Sequence, residues 1–154
     1  MPNTLELNRR HLMMGAGLAA TAFAAGATQA RAEASATVPD LTGKSILITG
    51  CSSGFGRLGA EHYARLGAKV FATMRNLPRP EADELTALAA SDNLDITVIE
   101  IDVTSDEQVA AGVAEALSAA GGAVDVLINN AGIAFAGPIE VQDMEATQHI
   151  FDTN

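Results

Sequence analysis

The stretch Thr49-Gly50-Cys51-Ser52-Ser53-Gly54-Phe55-Gly56 carries the residue types that let a polypeptide hold an anion with its own backbone. Glycines turn the chain without a Cβ clash and bring main-chain N–H groups close to a phosphate, where side chains would block the approach. The stretch follows a β-branched and apolar run, Ser45-Ile46-Leu47-Ile48, and leads into a segment that reads as a helix to Leu66 and stops at Gly67. Strand, glycine turn and helix is the order that a phosphate-binding βα unit requires, because the free N–H groups of the helix N-terminus then point at the anion. The spacing is Gly-x-x-x-Gly-x-Gly and not the commoner G-x-G-x-x-G, and a glycine triplet alone also fits a plain glycine-rich turn.

Two further stretches stand at the ends of apolar runs. Asn129-Asn130-Ala131-Gly132 follows Val124 to Ile128, and Asp102-Val103-Thr104 follows Val98 to Ile101. Taken with Thr49 to Gly56, this resembles the short-chain dehydrogenase/reductase family, whose pattern is T-G-x-x-x-G-x-G, an Asp after the third strand, and N-N-A-G after the fourth. The wording Thr-Gly-Cys-Ser-Ser-Gly and Val70-Phe71-Ala72-Thr73-Met74-Arg75-Asn76 is similar to the hydroxysteroid and retinol dehydrogenase branch. The resemblance runs from about Leu41 to Asn154.

The resemblance implies an α/β fold, a Rossmann-type doubly wound parallel sheet, of which about four strands in the order 3-2-1-4 with right-handed crossovers fall within this chain. It implies hydride transfer between a nicotinamide cofactor and a small-molecule alcohol or carbonyl substrate, in a complete chain that forms a homo-oligomer. The residues carried over as cofactor-binding are Gly50, Ser52, Ser53, Gly54, Phe55, Gly56, Asn130, Ala131 and Gly132, with Asp102 and Val103 bordering the adenine. Bracing of the sheet is the other role open to Asn129. Asn154 matches the asparagine of the family's catalytic tetrad, which helps hold a water in the proton relay; its alternative is an ordinary helix-end residue. The catalytic Ser and Tyr-x-x-x-Lys of the family are expected downstream of N-N-A-G, beyond Asn154. The single tyrosine, Tyr63, lies in the first helix with Gly67 four residues on, where the pattern needs Lys. The 154 residues are therefore expected to supply the cofactor half without turnover of their own, and the alternative is a truncated, non-catalytic nucleotide-binding fragment.

The choice of cofactor rests on the second strand, Lys69 to Met74. In this fold its end faces the 2′ position of the adenosine ribose, where Asp or Glu accepts from a 2′-hydroxyl and Arg accommodates a 2′-phosphate. Met74 and Arg75 stand there with no carboxylate adjacent in sequence, which favours NADP(H) over NAD(H). Arg75 as a solvated strand-end residue is the competing reading.

Around these residues the remaining elements fall in order. Pro80 to Ala90 reads as a helix with Pro80 in its first turn and Glu81, Asp83 and Glu84 near the positive end of its dipole. Leu94 to Ile101 is the third strand. Thr104 and Glu107 read as a capping box that starts the next helix at Ser105, with Val109, Val113 and Leu117 as its packing stripe and Gly121-Gly122 as its end. Val124 to Asn129 is the fourth strand, and a last helix runs from about Gln142 with Phe151 and Asn154 on its inward side. Gly43-Lys44-Ser45 superficially resembles the end of a P-loop, but Val38 occupies the first glycine position and the triplet precedes its strand.

Composition narrows the function classes. A chain of 154 residues with 48% hydrophobic residues is sized for one globular domain, and its net charge of −10 argues against nucleic acid as a partner. One cysteine excludes an internal disulfide, and with three scattered histidines it leaves no Cys/His metal site. Cys51 itself reads as a small packing residue. Residues 1–32 read as a twin-arginine-type signal: Arg9-Arg10, a weakly apolar run from Leu12 to Ala27 too short to be a stable membrane span, and Ala30-Arg31-Ala32 as a processing site. Asn8 and His11-Leu12-Met13 depart from the usual signal wording. An exported, periplasmic location is the expectation, with a cytoplasmic enzyme bearing a disordered leader as the alternative. Residues 33–40 form a linker before the domain at 41–154.

Overall fold

A computed structural model describes residues 38–154; the expected signal segment and most of the linker lie outside the described residues. Four parallel strands alternate with helices: β1 (Ser45–Ile48), α1 (Gly54–Arg65), β2 (Lys69–Met74), α2 (Pro80–Asp92), β3 (Ile96–Glu100), α3 (Asp106–Ala119), β4 (Val126–Ile128) and α4 (Met144–Thr153). The strand order is β3-β2-β1-β4, with Ile46 opposite both Val70 and Val126, and Val70 opposite Ile96.

Strand periodicity divides the apolar residues between two faces. Ile46, Ile48, Val70, Ala72 and Met74 point to one side, where Ala60 and Ala64 of α1 and Ala82 and Leu85 of α2 close over them. Leu47 and Phe71 point to the other, with Ile99, Ile101 and Ala116 of α3. Both central strands are thus buried on both faces, as their unbroken apolar runs require.

Several local expectations shift. The helix after Asp102 is capped by Ser105, whose hydroxyl accepts from Gln108 N at 3.3 Å. Thr104 cannot serve, because the Asp102 carboxylate captures both its hydroxyl (2.7 Å) and its N–H (3.0 Å). Of the expected stripe on α3, Val109 packs against the core, but Val113 (37%) and Leu117 (36%) are exposed, while Gly112 and Ala116 are buried. Gly112 permits this contact, since a Cβ there would lie 2.4 Å from Ile101 Cγ1. The α2 helix continues to Asp92, ended by Asn93 in the left-handed region at φ 53°. Strand β4 is shorter than expected, and Val126 (43%) and Leu127 (59%) are exposed at the sheet's edge. Phe151 is 77% exposed, so the inward side of α4 is not where the spacing placed it.

So short a pairing as β1 with β4 needs help at its ends. Where the two strands begin, Asp125 accepts from Ser45 N and Ser45 Oγ, both at 2.9 Å, and from Lys44 Nζ at 3.1 Å. The Ser45 N–H, followed by the Lys44 ammonium and the Ser45 hydroxyl, holds the Asp125 carboxyl down to about 2 from its ordinary 3.8. Because the folded value lies below the unfolded one, this stabilisation is present above about pH 4 and is lost as pH falls toward 2. Acid unfolding followed by circular dichroism should show it: Asp125→Asn is expected to be less stable than wild type at neutral pH, with a shallower further loss across that window. Parallel acid curves for the two proteins would show that Asp125 is not linked to folding.

Candidate cofactor-binding site

The carboxyl ends of the parallel strands meet the glycine loop at an open cleft of about 410 Å³. Its floor is set by the first βα turn, whose conformation requires glycine twice: Gly50 has φ +72° and Gly54 φ +57°. The glycines divide the labour. A Cβ on Gly50 would lie 2.8 Å from Ala131 Cα, and one on Gly56 would lie 2.4 Å from Gly50 O and 2.5 Å from Asn130 Nδ2. These two seat the loop and the N-terminus of α1 against the segment after β4. Gly54 has nothing within 4 Å of its would-be Cβ, so it leaves the space above the loop open.

The seat is hydrogen-bonded throughout. Thr49 Oγ1 accepts from both Asn130 N and Ala131 N at 2.9 Å, and Asn130 Nδ2 donates to Thr49 O (2.8 Å) and Gly50 O (3.2 Å). Cys51 N donates to Thr73 O at 2.8 Å, tying the loop to β2. Bracing therefore falls to Asn130, since Asn129 is exposed. Thr49, only 8% exposed, is the residue whose structural part the sequence did not disclose; its signal was its place as the Thr of T-G-x-x-x-G-x-G. Cys51 is fully buried, its thiol donates to Ile48 O at 3.3 Å, and burial pushes it up to about 12, so it stays a protonated packing residue.

The N-terminus of α1 faces this cleft bare. Its N-cap, Ser53, makes no side-chain cap bond, and its first turn holds no acidic residue. The other three helices carry acidic first turns: Glu81 and Asp83, Asp106 and Glu107, and Glu145. Free N–H groups and an uncompensated dipole end suit a bound anion.

Eleven of the sequence-selected residues line the cleft: Gly50, Ser52, Ser53, Gly54, Phe55, Arg75, Asp102, Val103, Asn130, Ala131 and Gly132. Gly56 lies beneath it, packed on Gly50. Asn154 stands beside Gly132, with both ends of its amide spent on Ile133: Oδ1 accepts from Ile133 N (2.8 Å) and Nδ2 donates to Ile133 O (3.0 Å). Met74, Arg79, Ile101, Ile133 and Thr153 also line the cleft and were not selected. The Asp102 carboxyl lies below its usual range because the Thr104 N–H and then the Thr104 hydroxyl bond it, with the Arg75 charge assisting. The end of β2 is not free of carboxylates, as its sequence neighbours suggest: β3 brings Glu100 opposite Met74, where its Oε1 accepts from Leu77 N at 3.0 Å. Glu100 is outside the cleft lining. Among the described residues no group of three His, Cys, Asp or Glu could hold a metal ion, and no helix is long and apolar enough to cross a membrane.

A cradle whose glycines give way only upward fits a nucleotide pyrophosphate on the loop and the α1 N-terminus. The two roles of glycine separate experimentally. Gly56→Ala is expected to lower stability by ~1–3 kcal/mol through overpacking, and nucleotide binding with it. Gly54→Ala is expected to cost ~1 kcal/mol of backbone strain and to remove the nucleotide-induced rise in melting temperature. Unaltered nucleotide stabilisation of Gly54→Ala would place the anion elsewhere.

The family model for short chain dehydrogenases matches residues 44–154. The chain is 42% identical over 114 residues to human retinol dehydrogenase 8, an alignment covering 72% of this chain and 35% of that protein. It is 31% identical over 115 residues to 3beta-hydroxysteroid dehydrogenase 1 of Eggerthella lenta, covering 75% and 43% of the two chains. Among solved structures, a short chain dehydrogenase from Mycobacterium smegmatis superposes with a TM-score of 0.68 at 27% identity, covering 75% of this chain and 48% of that one. This chain thus spans less than half the length of each of these proteins. With the parallel sheet, the glycine loop seated on Asn130 and the cleft between them, the match establishes that the chain belongs to the short-chain dehydrogenase family.

Proposed function

We propose that the chain is the cofactor-binding part of an NADP(H)-dependent oxidoreductase that moves a hydride between the nicotinamide and an alcohol or carbonyl substrate. The observation that carries the choice of NADP(H) is Arg75. It stands immediately after β2, lines the cleft, and makes no ion pair among the described residues. Of the carboxylates near it, Asp102 accepts from Thr104 through Oδ1 and Glu100 accepts from Leu77 N through Oε1, and neither pairs with Arg75. A 2′-phosphate finds at that place a guanidinium with no ion pair among the described residues, whereas no carboxylate stands at the end of β2 in sequence to accept from a 2′-hydroxyl.

The bound cofactor supplies the hydride chemistry; this chain's residues bind and orient it. Gly50 to Gly56 and the α1 N-terminus take the pyrophosphate, Asp102 and Val103 border the adenine, and Asn130, Ala131 and Gly132 close the opposite wall. The names of the retinol and 3beta-hydroxysteroid relatives support an apolar alcohol, or its carbonyl, as the substrate. Tyr63, the one tyrosine of the sequence, packs against the core from α1 and does not line the cleft, so it is not assigned a part in the proton transfer.

Titration of the purified chain with NADPH and with NADH, followed by cofactor fluorescence, tests this reading. NADPH is expected to bind more tightly, and Arg75→Asp to weaken it by about ten-fold or more, the loss of one charge-assisted contact, while leaving NADH nearly unchanged. Equal effects on both nucleotides would remove the assignment to Arg75.

A further inference from the structure

We propose that Arg79 is a second guanidinium for the 2′-phosphate, held ready by Glu81, so that this subsite has two cations and not one. The inference rests on the NADP(H) reading above and adds a specificity residue to it. Three observations carry it.

First, Arg79 lines the same cleft as Arg75. In a chain of net charge −10, the charged side chains lining that cleft are Arg75, Arg79 and Asp102. Asp102 accepts both Thr104 bonds through Oδ1, and the cleft holds two guanidiniums against this one carboxylate.

Second, Arg79 is fixed in place without being used up. Its Nε donates to Glu81 Oε2 at 2.9 Å, its Nη2 to Glu81 Oε1 at 3.0 Å, and its Nη1 to Arg75 O at 3.2 Å. A guanidinium has five N–H donors, and the three bonds made here leave two unspent. Glu81 is not among the residues lining the cleft, so the pair presents its cationic member there. A fork held by a carboxylate loses little rotamer freedom when a phosphate arrives.

Third, the segment between the two arginines is anchored. Arg79 holds the Arg75 carbonyl, Leu77 N is held by Glu100, and Arg57 of α1 donates to Glu81 O at 3.3 Å. Asn76 sits in the left-handed region at φ 58°, a conformation Asn tolerates. The turn therefore keeps Arg75 and Arg79 as one unit at the end of β2.

The test uses the chain with Arg75 intact and compares Arg79→Ala and Arg79→Lys with wild type. The probes are NADPH, NADH, adenosine 2′,5′-bisphosphate and adenosine 5′-monophosphate, with dissociation constants read by calorimetry or fluorescence and thermal unfolding as the check on folding. Arg79→Ala is expected to weaken NADPH and adenosine 2′,5′-bisphosphate by about ten-fold and to leave the two nucleotides without a 2′-phosphate within about two-fold. Arg79→Lys should recover part of that loss, since it keeps the charge but not the fork. If wild type prefers NADPH and Arg79→Ala weakens all four ligands alike, Arg79 only holds the turn and this proposal falls while the NADP(H) reading stands. If wild type shows no preference for the 2′-phosphorylated ligands, both fall. Should Arg79→Ala not fold, Arg79→Lys and Arg79→Gln decide the matter: equal affinity of these two for adenosine 2′,5′-bisphosphate would overturn the proposal, and weaker binding by Gln alone would support it.

Discussion

The structure hangs on one threonine hydroxyl. Thr49 Oγ1 receives two successive backbone N–H groups from Asn130 and Ala131, and the Asn130 side chain answers by donating to the carbonyls of Thr49 and Gly50. Four bonds thus join the ends of two strands that pair over only three residues. They also decide where the glycine loop lies, because Gly50 and Gly56 are glycines in order to fit against Ala131 and Asn130. A part-buried cluster of mutually bonded polar groups rigidifies its surroundings, and one lost member leaves its partners unsatisfied. Strand pairing and cofactor cradle are in this sense one feature.

Charge is distributed around that feature with the same consistency. The chain is strongly acidic, and three of its four described helices place carboxylates at their N-termini, where the dipole favours them. The fourth, α1, has none. Its positive end has no carboxylate in its first turn to offset it. The positive charge of the cleft, Arg75 and Arg79, collects a short way along, at the end of β2.

Much of this was legible in the sequence, and for identifiable reasons. The strands β1 and β2 are buried on both faces, so their apolar runs are unbroken and their limits are plain; the glycine spacing and Asn130-Ala131-Gly132 mark the cleft because backbone geometry tolerates few substitutes there. What escaped depends on contacts distant in sequence. Val109, Val113 and Leu117 look like a packing stripe, but only Val109 packs on the core, because Gly112 and Ala116 make the close approach to the sheet. Thr104 looks like a cap until Asp102 competes for its hydroxyl. Glu100 is adjacent to the end of β2 only through the register of β3, and Arg79 looks like a surface residue before its bonds to Glu81 and to the Arg75 carbonyl are seen.

The distance along the chain between the two halves of the Thr49–Asn130 connection, 81 residues, has a kinetic meaning. Pairing β1 with β2 closes a much shorter loop than pairing β1 with β4, and the difference in chain entropy is ~1 kcal/mol. Contacts of high sequence separation are costly to form before others have shortened the path. The β1-α1-β2 unit can assemble from near neighbours, yet its glycine loop has no seat until β4 arrives. A ligand that binds only the seated loop would stabilise the state in which the sheet has acquired its last strand.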